Sequence, residues 1–331
     1  AMNPASFRTE FSIPPAPFRL QPGSRVVALG SCFAESIGNR LLDNKLRASV
    51  NPFGTLFQPL AIFSLVQKAL RGEGPDERQF LERDGRWVSY EAHSDVWGES
   101  PEDLSAGFEK KLRELGENLR RADVLLFTLG SAWAYRLAEP PVYVANNHKQ
   151  PAARFERDLL SVKDVCKPFA PLSQQLKTLN PKLKTVLTVS PVRHTRDGMA
   201  DNAVSKSVLR AACHYLTTDF PDVYYFPAYE LLLDDLRDYR FYAPDGLHPS
   251  PVAEDYIFDK FREACFSEPL NAFVTEWQSV RRALAHRPFD AASAAHRAFL
   301  ERLRIRLLRF GTRLDVSQEL AGVEAQLENF S

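Results

Sequence analysis

Four short runs in this sequence are apolar on consecutive residues and stop at a turn. Arg25-Val26-Val27-Ala28-Leu29 stops at Gly30-Ser31, and Asp123 to Leu129 stops at Gly130-Ser131. Lys184 to Val189 stops at Ser190-Pro191, and Asp222 to Phe226 stops at Pro227. A strand with one wet face alternates, whereas a strand covered on both faces does not, and doubly covered strands belong to parallel sheets. Between the runs lie helix-spaced apolar positions over residues 33–43, 59–71, 102–121, 156–178, 205–218, 228–238 and 252–265. Strand–helix alternation predicts an open, mostly parallel α/β sheet with helices on both faces. In such folds the reactive crevice lies beyond the carboxyl ends of the strands, so the residues just after each run carry the chemistry.

The chain has 331 residues, enough for one large α/β domain of about 8–265 and a helical extension of 266–331. With 42 basic and 42 acidic residues the net charge is zero, which speaks against nucleic acid as a main partner. Apolar content of 44% excludes a disordered chain. No run approaches the ~20 apolar residues that cross a bilayer, and Ala1 to Pro22 contains no leader-like apolar stretch. Cys32, Cys166, Cys213 and Cys265 are widely spaced, without a C-x-x-C pair. The expectation is a cytoplasmic protein without disulfides.

The tail changes character. From Ala291 it reads as helix, with Leu300, Leu303, Leu307 and Phe310 in one stripe. Residues 286–313 hold seven arginines against Asp290 and Glu301. These arginines are either solvated and paired internally, or they form a contact surface for a second copy or a membrane.

The first run delivers Ser31 to a strand-to-helix turn, where helix N–H groups favour a developing negative charge. Ser31 also suits a plain N-cap. A nucleophilic serine needs a base and the base an orienting carboxylate. The segment Asp245-Gly246-Leu247-His248 supplies both within one turn, although an Asx-turn with a surface histidine has the same spacing. Ser131 repeats the Leu-Gly-Ser form of Ser31 and is a rival nucleophile or a cap. Cys32, beside Ser31, is expected to face the core. Arg193 suits either an anionic substrate group or an internal ion pair, and His93, with Trp87 and Trp97, belongs to a loop read as a sugar-stacking wall or a core cover. The histidines show no metal-ligand spacing, so no metal and no cofactor are expected.

The string Gly30-Ser31-Cys32-Phe33-Ala34 resembles the signature of the GSCFA family, which is related to the GDSL/SGNH hydrolases. Asn51-Pro52-Phe53-Gly54, Thr128 to Trp133, Asn147-His148-Lys149, Ser190 to His194, Asp238 to Tyr242 and Asp245-x-x-His248-Pro249 resemble that family too, over roughly residues 8–265. The tail lies outside this likeness. The resemblance implies a flavodoxin-like three-layer α/β/α sandwich of SGNH-hydrolase type. It implies Ser31 as nucleophile, with Asp245 and His248 completing a triad and Gly54 and Ser31 giving oxyanion N–H groups. SGNH enzymes take a third donor from an asparagine, but here the strand end reads Gly130-Ser131-Ala132-Trp133. Asn146, Asn147, His148 and His194 are the candidates to replace it, and Trp133, Arg193 and His93 join the expected substrate-binding set.

The expected activity is therefore hydrolysis of a small acyl ester, acetyl-like, on a hydroxylated or carbohydrate-like molecule. Two alternatives stay open: acyl transfer from the same site, and a non-catalytic carbohydrate-binding or assembly protein.

Overall fold

A computed structural model describes residues 8–196 and 198–330. Residues 1–7, which head the stretch read above for a leader, lie outside the described residues. In chain order the elements begin β1 (Arg25–Gly30), α1 (Cys32–Asp43), β2 (Arg47–Val50), α2 (Pro59–Arg71), β3 (Phe80–Arg83), β4 (Arg86–Ser89), β5 (Trp97–Gly98) and α3 (Pro101–Arg121). There follow β6 (Val124–Leu129), β7 (Trp133–Leu137), β8 (Val142–Val144), β9 (Phe155–Leu159), α4 (Val162–Leu179), β10 (Lys184–Val189), α5 (Met199–Asp219) and β11 (Val223–Tyr225). The chain ends with α6 (Ala228–Glu230), α7 (Pro251–Cys265), α8 (Glu268–Leu284), α9 (Ala294–Gly311) and α10 (Ser317–Glu328).

The central sheet runs β11-β10-β6-β1-β2, and every pairing in it is parallel. Numbered by their order within the sheet, this is the flavodoxin-like 2-1-3-4-5 arrangement. The consecutive apolar runs explain it. Val27, Leu29, Leu125, Phe127, Leu187 and Val189 pack into one cluster with the buried faces of α2, α3, α4 and α5. The alternate side chains Val26, Ala28, Leu126 and Val186 are buried as well. Arg40 of α1 ties that helix to α7 through Glu254 and Asp255.

Three features depart from the sequence expectation. Residues 155–159 form β9 rather than the start of a helix, because Ser161 caps α4 with a reciprocal Ser161–Asp164 box and so fixes the first turn there. The segments 80–98 and 133–159 fold into two small antiparallel sheets, β3-β4-β5 and β8-β7-β9, where the sequence suggests a loop for the first. Strand β2 carries a polar, half-buried pattern at the sheet edge, so it lacks the apolar signature of the others.

Two compact units divide the chain: one through Leu42 together with Leu46–Cys265, the other Asp43–Lys45 with Phe266–Ser331. In the second unit Trp277, Val280, Leu300, Leu303, Leu307 and Phe310 form a core of their own. Arginines of its basic stretch are paired inside it, Arg297 with Glu301 and Arg304 with Glu324. Among the described residues no helix is long and apolar enough to cross a membrane.

Candidate active site

The crevice end of β1 is built on glycine and asparagine. Gly30 has φ +136°, and a Cβ there would stand 2.1 Å from the Thr128 carbonyl oxygen of β6. Only glycine lets the two strand ends approach so closely. The Gly30 N–H donates to Asn51 Oδ1 at 2.9 Å, and Asn51 N–H donates to the Ala28 carbonyl at 2.9 Å. The Asn51-Pro52-Phe53-Gly54 motif thus braces the turn that follows β1.

Ser31 opens α1 as its N-cap. Its carbonyl accepts from Ala34 N–H at 2.8 Å and its hydroxyl from Phe33 N–H at 3.3 Å. The side chain is turned inward: Ser31 is 0% exposed, with Oγ 3.1 Å from Thr128 Oγ1. Among the described residues no hydrogen bond joins Ser31 to His248. The Ser31 N–H donates to the Thr128 carbonyl at 3.0 Å, and the Gly54 N–H donates to the Asn51 carbonyl at 2.9 Å. Both amides expected to hold an oxyanion are therefore engaged in holding the backbone. Cys32, expected to face the core, is instead partly exposed, because successive side chains diverge at the turn and Ser31 takes the inward direction.

Asp245 and His248 do come together. Asp245 Oδ2 lies 2.7 Å from His248 Nδ1, while Oδ1 accepts from the Leu247 and His248 N–H groups at 2.8 and 3.0 Å. The Asx-turn and the carboxylate–imidazole pair are thus one structure. Those two backbone donors, with the imidazole, hold the Asp245 carboxyl down to about 2. The side chains of His248 and Asp245 are 49% and 45% exposed, and the second ring nitrogen of His248, Nε2, has no protein partner among the described residues. The loop is fixed from outside: Arg193 N–H donates to the Leu247 carbonyl, Arg193 Nη1 donates to the Gly246 carbonyl, each at 3.1 Å, and its guanidinium lies 4.3 Å from the Tyr242 ring centre. Arg193 acts inside the protein, on the loop, rather than as an open anion-binding group.

His194, next along, takes its backbone N–H to Asn202 Oδ1 at 2.8 Å, and its ring meets Phe57 edge-on. Burial, then the Lys206 and His248 charges, push the imidazole down to about 3, so it is neutral at ordinary pH. His194 Nε2 is buried without a partner among the described residues. It borders a pocket of about 270 Å³ whose walls include Trp133, Tyr135, Asn147 and Arg196. Arg157 covers one face of the Trp133 ring at 3.6 Å. Trp133, Asn147 and His194 therefore share one pocket, which Ser31, Asp245 and His248 do not line.

The other candidates are placed elsewhere. His148 is buried with Nε2 2.7 Å from the Ser89 carbonyl, and burial pushes its imidazole down. His93 pairs through Nδ1 with Asp95 at 3.0 Å and packs over Gly54, where a Cβ would meet it at 2.3 Å. Ser131 caps its own turn, its hydroxyl accepting from Trp133 N–H at 3.0 Å. No group of three or more metal-ligating side chains occurs among the described residues.

Lys206 escapes the sequence reading. It is buried, and Nζ donates to the Gly130 and Ser190 carbonyls at 2.8 Å each, clamping the ends of β6 and β10. Burial pushes the ammonium down to about 7, against the two carbonyls, which favour the charged form. The available signal is a lone lysine in helical register with Asn202, Leu209 and Cys213, all of them buried.

Among solved structures, a carbohydrate esterase family 3 protein from Talaromyces cellulolyticus matches at 11% identity and a TM-score of 0.33, covering 76% of this chain and 99% of its own. A mutant acetyl esterase with acetate ion matches at 11% identity and a TM-score of 0.32, covering 78% of this chain and 99% of its own. Comparison with curated proteins finds no match. The GSCFA family matches residues 25–261, and the C-terminal domain of GSCFA domain proteins matches residues 277–329, so the tail set apart in the sequence reading has a family likeness of its own. With most of its length matched, the chain belongs to the GSCFA family.

Proposed function

We propose that this chain hydrolyses a carboxylic ester, releasing a small acyl group such as acetyl from a hydroxylated or carbohydrate-like molecule through an acyl-enzyme. The observation that carries this reading is the Asp245–His248 pair, with an ionised carboxylate on Nδ1 and an open Nε2. Asp245 fixes the tautomer in which Nδ1 bears hydrogen, which leaves Nε2 as the base for a nucleophile on the β1–α1 turn. His248 then returns the proton to the leaving alcohol and activates water to release the acyl group. The neighbouring pocket suits a sugar-like leaving group: Trp133 and Tyr135 give apolar walls, and Asn147 and His194 Nε2 give polar contacts. Ser31 is the nucleophile named by the family likeness. In that role its hydroxyl must first leave Thr128.

A second reading, carbohydrate binding without turnover, draws support from the engaged N–H groups of Ser31 and Gly54. Acetate release from acetylated oligosaccharides separates the two. Hydrolysis predicts acetate accumulating above the buffer rate, with a raised KM in Trp133→Ala. Binding of the oligosaccharide with no acetate above background would leave only the second reading.

A further inference from the structure

We infer that the pocket bordered by His194 recognises an acidic sugar, with Arg196 on its carboxylate and the side-chain amides of Asn146 and Asn147 donating beside it. The inference rests on reading that pocket as the place of a sugar-like group, which both readings above share, and it names the chemistry the pocket selects.

The side-chain amides on the pocket wall offer donors. Asn146 Oδ1 accepts from the His148 N–H at 2.8 Å, and Asn147 Oδ1 accepts from the Lys149 N–H at 3.2 Å. Each asparagine commits its oxygen to its own turn and keeps its NH2 group without a protein partner among the described residues. The turn itself is held, because the Ala145 and Asn146 N–H groups both donate to the Tyr90 carbonyl, at 2.7 and 3.4 Å. Gln58, the third amide on this wall, has its Oε1 occupied by the Leu60 N–H at 2.7 Å. The Ser131 hydroxyl likewise accepts from the Trp133 N–H. A ligand here must therefore bring acceptors.

The charge on the wall is of one sign. Arg196 lines the pocket and is exposed, with its guanidinium 5.9 Å from the Tyr135 ring centre and no carboxylate partner among the described residues. No carboxylate lines the pocket. Those close by are engaged: Asp201 with Arg157 at 2.8 Å, and Asp158 with Arg136 at 3.3 Å and Tyr143 at 3.0 Å. His194 is neutral at ordinary pH. One guanidinium matches one negative charge, and its planar fork fits a carboxylate; a phosphate dianion would keep a charge unmet.

The remaining walls suit a ring. Trp133 is fixed by its Nε1–H, which donates to the Asp201 carbonyl at 2.9 Å, and with Tyr135 it gives apolar surface for sugar carbons. A volume of about 270 Å³ has room for a single sugar ring. His194 directly follows Arg193, which holds the Gly246 and Leu247 carbonyls, so the pocket adjoins the loop that carries His248.

The test is a ligand-observed NMR titration of the full chain at neutral pH and low salt. The probes are D-glucuronate and D-galacturonate, each beside its uncharged methyl ester, and glucose 6-phosphate. At least one uronate is expected to bind ~10-fold or more tightly than its ester, the gain of a charged hydrogen bond over a neutral one. Arg196→Gln should erase that preference while retaining binding of the ester, which reports an intact pocket. Asn147→Asp, which keeps an oxygen for the Lys149 N–H but replaces the donor with a carboxylate, should erase it too. Equal affinity for acid and ester would overturn the inference, as would a preference that survives Arg196→Gln or tighter binding of glucose 6-phosphate than of either uronate. Acetate release from neutral acetylated sugars alongside any of these would leave the hydrolytic reading standing alone. An Arg196-dependent preference for a uronate without acetate release would uphold the inference and remove hydrolysis.

Discussion

The Ser31 and Thr128 hydroxyl oxygens lie 3.1 Å apart at the ends of two adjacent parallel strands, and the Ser31 N–H donates to the carbonyl of the same threonine. One residue of β6 thus engages both the amide and the hydroxyl of the serine. The contact depends on Gly30, which has no side chain to hold β1 and β6 apart.

Gly30→Ala tests that dependence. The new methyl group would meet backbone rather than a movable side chain, at a φ that L-residues rarely adopt. A loss of about 3 kcal/mol or more in urea unfolding is expected, beyond what ordinary surface changes cause.

Asp245→Asn keeps an acceptor for the Leu247 and His248 N–H groups but turns an amide toward Nδ1. The imidazole is then driven to the tautomer that carries hydrogen on Nε2, which cannot take a proton from a nucleophile. A fall in kcat/KM of about 10²–10⁴-fold on p-nitrophenyl acetate is expected, with a nearly unchanged melting temperature.

Stability should fall as pH drops through the acid range. His194 has a folded pKa of about 3 against 6.5 unfolded, so between those values the unfolded chain binds a proton that the folded chain refuses. His148 shifts in the same direction. Asp245, held at about 2 against 3.8, adds its loss only at the acid end, as pH falls through that lower window. Urea midpoints should therefore decline between pH 6.5 and pH 4.5, and His194→Gln should flatten the slope by at most about 1.4 kcal/mol per pH unit.

Trp277→Ala tests the second unit. The indole is 1% exposed, packs edge-on against Phe310 and donates to the Asp43 carbonyl at 2.9 Å. Its removal leaves a cavity and should cost about 3–5 kcal/mol, measured by chemical unfolding of the full chain.

The central strands are legible in the sequence because burial on both faces leaves a continuous apolar run, as at Val124 to Leu129. Strand β2 is not, since an edge strand can stay polar. Residues 155–159 carry charges at spacings that fit a helix as well as a strand, and pairing with β7 decides between them. At the site, the Asp245–His248 pair is readable because one turn contains both partners. The direction of Ser31 is not, because it depends on Thr128, 97 residues away. The same distance effect hides Lys206, whose acceptors Gly130 and Ser190 come from two different strand ends.

The most direct measurement is the steady-state rate on p-nitrophenyl acetate for the wild-type protein and His248→Ala, each corrected for buffer hydrolysis. Wild-type turnover with a loss of at least ~10²-fold in the variant is the result expected of an imidazole that moves the proton. Equal rates in the two proteins would show that His248 takes no part in the chemistry.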